Sequence, residues 1–227
     1  MLALSSYKMK KYGECLFAVS KTQKRAIASN AVVININDES EPADDSVVTE
    51  QTYFDIEGNL NSRGKAFVGY LKAKCLCKMK RYSESLFTLA RITGSTLDLA
   101  QLSERQCWKT TLYKGIDLYY IKQYKETVLT INSLLQRLES EQKILLEESS
   151  IQGHEPTPEE IKQHIDERNK LSKVLIQAYS YRGKANQELN DYENAITDFG
   201  KLIELGQFQD LPTEKICEYM GQISQLR

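Results

Sequence analysis

The sequence has few of the residues and patterns from which enzymes and membrane proteins build their sites. It contains two histidines, His154 and His164, and neither lies in a recognisable catalytic or zinc-binding pattern. It has no glycine-rich phosphate loop, and no apolar run near the ~18 residues of a membrane-spanning helix. The absence of these patterns predicts a protein without catalytic residues, cofactor or metal, and without membrane insertion.

Neither sign of charge is in excess, since 30 lysines and arginines face 31 aspartates and glutamates. A net charge of -1 argues against a general nucleic-acid surface, which requires a basic excess. The five cysteines show no metal-binding spacing, and no basic and apolar signal peptide opens the chain. We therefore expect reduced thiols in a cytoplasmic or nuclear protein.

What the sequence does contain is a short motif that recurs four times, each time around a tyrosine. The four tyrosines are Tyr12, Tyr82, Tyr124 and Tyr192. The residues three positions later are Cys15, Ser85, Thr127 and Ala195, and those nine positions earlier are Ala3, Ala73, Gly115 and Gly183. Self-similarity of this kind predicts a repeat architecture, whose units bury their apolar faces by stacking on their neighbours.

Each copy predicts a hairpin of two helices that meet at the tyrosine. A glycine inside a helix costs ~1 kcal/mol relative to alanine, so Gly115 and Gly183 need a packing reason. Close approach of the second helix supplies that reason. The inner face of the second helix then continues through apolar residues, which are Val19, Leu89, Ile131 and Phe199.

The pattern resembles the tetratricopeptide repeat family, which has a small residue in the first helix, an aromatic at the turn and a small residue early in the second helix. The last copy matches best, with Gly183, Tyr192, Ala195 and Phe199 in register. The resemblance implies an all-α, right-handed solenoid of antiparallel helix hairpins. It also implies a protein that binds other proteins and is not an enzyme.

Two of the predicted helices are longer than this family requires. Tyr124 and Tyr192 are 68 residues apart, which is twice the family's period of about 34, and no recognisable repeat lies between them. We therefore expect an elongated helical hairpin. The predicted segments are a partial first hairpin (1–34), an acidic insertion (35–52), a second repeat (53–96), a third repeat with a long second helix (97–149), a loop (150–157), a fourth repeat with a long first helix (158–206) and a capping helix (207–227).

The second long helix has a well-marked start, because Thr157 suits the N-cap and Pro158 the first helical position. Apolar residues are expected near one face of this helix, namely Ile161, Ile165, Leu171, Leu175 and Ala178. The last helix carries a stripe that would close the exposed end of a solenoid, formed by Ile216, Tyr219, Met220 and Ile223.

The family resemblance indicates which first-helix residues would line a concave groove. They are Phe67, Tyr70, Lys74 and Cys77 in the second repeat, Lys109, Leu112, Ile116 and Tyr119 in the third, and Gln177, Ser180, Lys184 and Gln187 in the fourth. Their mixture of aromatic, aliphatic and basic side chains suits a peptide with apolar anchors and acidic character. The competing interpretation is that they pack against neighbouring helices.

Some members of that family bind the acidic C-termini of heat-shock chaperones through a clamp of lysine, asparagine, lysine and arginine. Here the asparagine position holds Leu71 or Tyr113, and the later cationic positions hold Gln177 and Tyr181. The cations that would pair with the carboxylates are missing. We therefore do not expect this chain to bind chaperone tails.

Three functional hypotheses stay open at this stage. The first is a non-enzymatic scaffold or adaptor, a subunit of a multiprotein assembly that uses the long hairpin for contact. The second is a co-chaperone or transport receptor that binds short peptide motifs in the groove. The third is a regulatory repeat domain of a larger protein, because the chain begins within its first repeat; a second copy of the chain could equally cover the apolar residues left open there.

Overall fold

The computed structural model describes residues 12, 16–17, 61–94, 102–151, 157–208 and 213–226. Within these ranges it has seven helices with defined bounds and no strands, so the predicted all-α class is confirmed. The helices are α1 (Ser62–Lys78), α2 (Tyr82–Thr93), α3 (Glu104–Tyr120), α4 (Tyr124–Ile151), α5 (Pro158–Glu188), α6 (Tyr192–Phe208) and α7 (Thr213–Leu226). The predicted first hairpin, apart from Tyr12, Leu16 and Phe17, and the acidic insertion lie outside the described residues.

The chain divides into two compact units, Met1–Asp117 and Leu118–Arg227, with the boundary inside α3. In the first unit α1 packs against α2. In the second unit α4 packs against α5, α5 against α6, and α6 against α7. These four pairs of consecutive helices are therefore neighbours in space. The right-handed stacking of these hairpins into a solenoid stays a prediction.

Two helix starts follow directly from their capping residues. Asn61 is the N-cap of α1, and its side-chain oxygen accepts a hydrogen bond of 2.8 Å from the Gly64 amide. Before α3, the Ser103 amide donates to Gln106 Oε1 at 3.0 Å, and the Gln106 amide donates to the Ser103 hydroxyl at 3.4 Å. This reciprocal pair satisfies two amides that have no partner within the helix.

The three described turns at the repeated tyrosines share one geometry that the sequence reasoning did not anticipate. Two residues before each tyrosine the backbone takes a positive φ, at Lys80, Lys122 and Asn190. In each turn the following amide donates to the carbonyl five residues earlier, at the end of the preceding helix, from Arg81 to Leu76, from Gln123 to Leu118 and from Asp191 to Asn186. Each first helix therefore ends in a Schellman motif, which turns the chain into the second helix.

The small residues of the repeat lie where the helices approach each other, as the sequence predicted. A Cβ atom added to Gly183 would be 2.9 Å from Cε1 of Phe199. In the second repeat the Ser85 hydroxyl donates to the Ala73 carbonyl at 3.0 Å, which brings α2 against α1. The small residues Ser85, Thr127 and Ala195 and the apolar residues Leu89, Ile131 and Phe199 are all fully buried.

The elongated hairpin is also present, with 28 residues in α4 and 31 in α5. At 1.5 Å per residue, α5 is about 45 Å long. Its start agrees with the prediction, since the Ile161 amide donates to the Thr157 carbonyl at 3.0 Å. Helix α4 ends two residues later than expected, at Ile151 instead of Ser149.

The last helix packs against α6, as expected of a capping helix. Tyr219 is buried and its ring stacks on Phe199, with centroids 6.1 Å apart. Met220, the next residue of the predicted stripe, is exposed instead. Adjacent residues of a helix are rotated by 100°, so the close packing of Tyr219 turns Met220 out of the contact.

Candidate functional site

The residues predicted to line a concave groove differ sharply in exposure. Phe67, Tyr70, Cys77, Leu112, Ile116 and Ser180 are buried, and so is Lys74, of which only 6% is exposed. Lys109, Tyr119, Lys184 and Gln187 are half-buried, and Gln177 is exposed. A partner could reach only this second group without rearranging the protein. The set draws on both units, so a continuous groove stays a prediction.

Four tyrosines of the second unit form one connected cluster, named here the tyrosine cluster. Tyr119 is at its centre, with ring centroids 5.4 Å from Tyr120, 5.6 Å from Tyr124 and 5.6 Å from Tyr181. Tyr120 and Tyr181 also meet, with centroids 6.1 Å apart and hydroxyl oxygens 3.5 Å apart. Edge-to-face contacts of this kind fix the rings relative to one another.

Charged side chains border the tyrosine cluster on α5. The Lys184 amine lies 5.9 Å from the centre of the Tyr181 ring, within reach of a cation–π interaction. Burial and then the Glu188 carboxylate raise the pKa of Tyr119, and the same two causes raise the pKa of Tyr124. The phenols therefore stay protonated at neutral pH and can donate hydrogen bonds. The cluster thus offers a rigid amphipathic surface on which Tyr120 is half-exposed.

Three isoleucines in the distal part of the long hairpin are exposed to solvent. The exposed fractions are 46% for Ile144 on α4, and 45% and 53% for Ile161 and Ile165 on α5. The sequence predicted that Ile161 and Ile165 would share a face with Leu171, Leu175 and Ala178. Only these last three are buried, so that part of the prediction was wrong.

The geometry of α5 explains the difference. Ile165 and Leu171 are six residues apart, which leaves their side chains about 120° apart around the helix axis. Helix α6 has 17 residues and runs back along α5 from the turn at Asn190, so it can cover only about the second half of α5. Helices α4 and α6 both pack against α5, and α6 is too short to reach its first half.

A hydrogen-bonded network holds the base of this hairpin to α6. Arg182 on α5 binds both carboxylate oxygens of Asp198 on α6, with a shortest distance of 2.5 Å from its Nη2. Its Nη1 donates to the side chain of Asn132 on α4 at 2.7 Å. Burial raises the pKa of Asp198, and the hydrogen bond from Arg182 offsets only part of that effect. One guanidinium thus joins three helices.

A second contact joins α4 and α5 farther along the hairpin. The Tyr179 hydroxyl donates to Glu139 Oε1 at 2.7 Å. Burial, followed by this carboxylate, raises the pKa of Tyr179 well above its usual value, so the phenol stays protonated and keeps donating. The hairpin is therefore fixed by polar contacts up to this level, below the exposed isoleucines.

The first unit contains a buried carboxylate whose two oxygens have no hydrogen-bond partner. Asp117 is fully buried, and burial raises its pKa to about 7. Ser85 and Cys77 are close enough to lower that pKa in part, yet the Ser85 hydroxyl donates to the Ala73 carbonyl. Burial and Asp117 together raise the pKa of Cys77. Cys77 is therefore a protonated thiol at neutral pH and not a reactive thiolate.

The described residues offer little for a metal or a membrane. No group of three or more histidine, cysteine, aspartate or glutamate side chains within them could hold a metal ion. The cysteines at 75, 77, 107 and 217 form no disulfide bond with one another. Within the described part of the chain, no helix has both the length and the apolar character to span a membrane.

Comparison with known proteins adds no relative from which a role could be transferred. No protein family, no curated protein and no solved structure matches this chain. A functional assignment therefore rests on the two exposed surfaces of the second unit, the tyrosine cluster and the distal part of the α4–α5 hairpin.

Proposed function

We propose that this protein is a non-enzymatic interaction scaffold, a subunit of a multiprotein assembly, and that it holds a partner with the distal part of its long hairpin. The observation that carries the proposal is the exposure of Ile144, Ile161 and Ile165, each of which is about half open to solvent. Exposed apolar side chains grouped on one helical hairpin are typical of protein–protein contacts.

The rest of the hairpin favours the same function. Arg182 binds α4, α5 and α6 together at the base, and Tyr179 joins α4 to α5 nearer the isoleucines. A rigid base lets a long helical pair present a surface away from the repeats with little loss of conformational freedom on binding. An ordered but uncovered apolar surface is what a subunit with one fixed partner would carry.

The test replaces both isoleucines of α5 with serine, as Ile161→Ser and Ile165→Ser. The tagged wild-type and variant proteins are then purified, with whatever binds them, from cells of the organism that produces this protein. We expect the stoichiometric partner bands of the wild-type protein to be lost. Both side chains are already about half exposed, so the helical circular dichroism signal and the urea midpoint should change little.

The matched control removes equally exposed apolar groups elsewhere. Phe87 on α2 and Leu129 on α4 are 68% and 69% exposed, so Phe87→Ser with Leu129→Ser deletes as much exposed apolar surface outside the distal hairpin. Assembly should survive this change. If the isoleucine variant keeps all its partners, or the control loses them equally, the hairpin is not the contact.

The tyrosine cluster favours a second function, that of a receptor for short peptides. Tyrosine is enriched at binding hot spots because its ring buries apolar area while its hydroxyl makes hydrogen bonds. Lys184 beside Tyr181 would add preference for an acidic residue in the peptide. Isothermal titration with peptides selected by the wild-type protein would detect this function. Tyr120→Ser combined with Lys184→Glu should abolish it, whereas Ile161→Ser with Ile165→Ser should leave it intact.

A further inference from the structure

Positive charge is concentrated in the first unit of this protein. Residues 1–117 contain 17 lysines and arginines against 13 aspartates and glutamates, whereas residues 118–227 contain 13 against 18. The first count includes all eight acidic residues of the segment 38–57, which has no basic residue. The α1–α2 hairpin, residues 61–94, contains eight lysines and arginines and a single acidic residue, Glu84. The net charge of -1 therefore describes the whole chain but not this hairpin.

The contact between α1 and α2 shows which cations lie on the same side of the hairpin. Gly69 on α1 faces Ile92 on α2, since an added Cβ would be 2.9 Å from Cδ1 of Ile92. Lys65 and Lys72 are four residues before and three residues after Gly69, which turns both about 40–60° to the same side of this contact. Lys65 is exposed and Lys72 is half-buried, while every residue between them is buried. On this side, α1 therefore presents lysines.

Helix α2 continues the same side of the hairpin through Glu84, Phe87 and Arg91. Two hydrogen bonds from Arg81, at 2.6 and 2.7 Å, and then the charge of Lys72 lower the pKa of Glu84. Glu84 therefore lies near Lys72, on the same side of the hairpin. Phe87 and Arg91 follow at helical spacings of three and four residues, so they lie on the side of Glu84.

This side of the hairpin combines cations with one open aromatic ring, and four of its residues are named here the basic face: Lys65, Lys72, Phe87 and Arg91. Glu84 is already bound to Arg81, and neither Lys65 nor Arg91 forms an ion pair with a described residue. Phe87 is 68% exposed, and within residues 61–94 it is the one large apolar side chain that is exposed. The face thus keeps an excess of positive charge around a single ring.

We propose that the basic face binds single-stranded nucleic acid. A base would stack on the ring of Phe87, and the phosphates on either side of that base would lie against Lys65, Lys72 and Arg91. Salt screens charges that are farther apart than about 8 Å, so the local excess of the face, and not the net charge of the chain, decides whether phosphates are attracted. The face is separate from the distal hairpin, and the proposal does not rest on the proposed function.

The composition of the face favours nucleic acid over an acidic peptide. Hot spots for peptides are apolar side chains packed in pockets, whereas the basic face has one ring with charged neighbours. A base needs only an exposed ring, because stacking uses the flat side of the aromatic group. Lysine binds phosphate as a point charge, without a fixed orientation, which suits a flexible strand. We therefore expect binding that depends strongly on salt and little on base sequence.

The test measures the fluorescence anisotropy of labelled oligouridine and oligothymidine, each of about 12 nucleotides, with the full chain. Three phosphate contacts predict a slope of about -2 for the logarithm of the binding constant against that of the salt concentration. Both oligonucleotides should therefore bind about 20-fold more weakly in 200 mM than in 50 mM salt. Equal affinities would assign recognition to bases and phosphates, and tighter binding of oligouridine would add the 2′-hydroxyl; either result supports the proposal.

Variants then assign the binding to the basic face. Phe87→Ser should weaken both oligonucleotides at least fivefold without changing the salt slope, because it removes stacking and no charge. Lys65→Glu should weaken them at least fivefold and make the slope shallower. The matched control is Lys78→Glu, since Lys78 is also exposed on α1 but is nine residues from Gly69, half a turn around the helix. This control should weaken binding less than twofold, and circular dichroism checks that all three variants fold.

Four outcomes would overturn the inference. Binding of neither oligonucleotide in about 50 mM salt would exclude the ligand, and equal losses in Lys65→Glu and Lys78→Glu would exclude the face. A polyglutamate peptide of equal charge that binds as tightly would assign the face to acidic proteins. Sedimentation with phosphatidylserine vesicles, without oligonucleotide binding, would assign it to a membrane surface.

The proposed function is judged separately, by the protein partners of the distal hairpin. Ile161→Ser with Ile165→Ser should lose those partners and still bind both oligonucleotides as the wild type does. Phe87→Ser should show the reverse, with weakened oligonucleotide binding and all protein partners retained.

Discussion

Replacing Gly183 with alanine tests the close helix contact that defines the repeat. The added Cβ would lie 2.9 Å from Cε1 and 3.2 Å from Cζ of Phe199, and 3.1 Å from Cβ of Asp198. Phe199 cannot move aside easily, since it is fully buried and stacked on Tyr219. Asp198 is held in place by Arg182. The clash must therefore be relieved by moving α6 away from α5.

The expected magnitude follows from two opposing effects. Overpacking a rigid core contact costs about 2–3 kcal/mol, while alanine gains ~1 kcal/mol over glycine in helix propensity. The net loss in the free energy of unfolding should be about 1–2 kcal/mol. Gly200 on α6 is the matched control, because a Cβ there would meet nothing within 4 Å. Gly200→Ala should stabilise by about 0.5–1 kcal/mol through helix propensity alone.

Urea unfolding followed by circular dichroism measures both changes, and both glycines belong to the second unit. The slope of the transition should stay constant while the midpoints move in opposite directions. A third variant, Gly69→Ala, should fall between them, because the added Cβ would meet the end of the Ile92 side chain at 2.9 Å, and that end can rotate. A Gly183→Ala protein as stable as the wild type would refute the reasoning.

Two further predictions concern buried charges. The carboxyl group of Asp117 has a pKa of about 7 in the folded protein and an ordinary value of 3.8. The stability that this group contributes is therefore fully present below pH 4 and is lost between about pH 4 and 7, by up to ~4 kcal/mol. Urea midpoints at pH 5 and pH 8 should consequently differ less in Asp117→Asn than in the wild type. Arg182→Met leaves Asp198 buried without its cation, so it should cost about 3–5 kcal/mol in urea unfolding, and the second change Asp198→Asn should restore part of that loss. A wild-type urea midpoint that does not change with pH would contradict the first prediction. Losses in the free energy of unfolding that simply add in the Arg182→Met, Asp198→Asn double variant would contradict the second.

The buried Lys74 also limits which variants can test a peptide groove. Only 6% of its surface is exposed, and it makes contacts within the chain. A glutamate at that position would disturb the fold, so loss of binding in such a variant would carry no information about the groove. Lys109 and Lys184 are half-exposed and are the suitable positions for charge reversal.

The sequence by itself determined the helices, the positions of the turns between them and the small residues at their closest contacts. These features depend on residues near each other in the chain: the caps at Asn61 and Thr157, and the fixed spacing of Gly183, Tyr192 and Ala195. The 68-residue gap between two tyrosines was enough to predict the long hairpin, because helix length is counted along the chain.

Only the tertiary structure decided which side chains are open to a partner. Ile165 is exposed because α6 is too short to cover the distal half of α5, whereas Lys74, expected in an open groove, is buried. Arg182 became the link between three helices because Asn132 and Asp198 approach it from two other helices. Exposure and long-range ion pairs depend on which helices lie side by side, and that information is shared among distant parts of the chain.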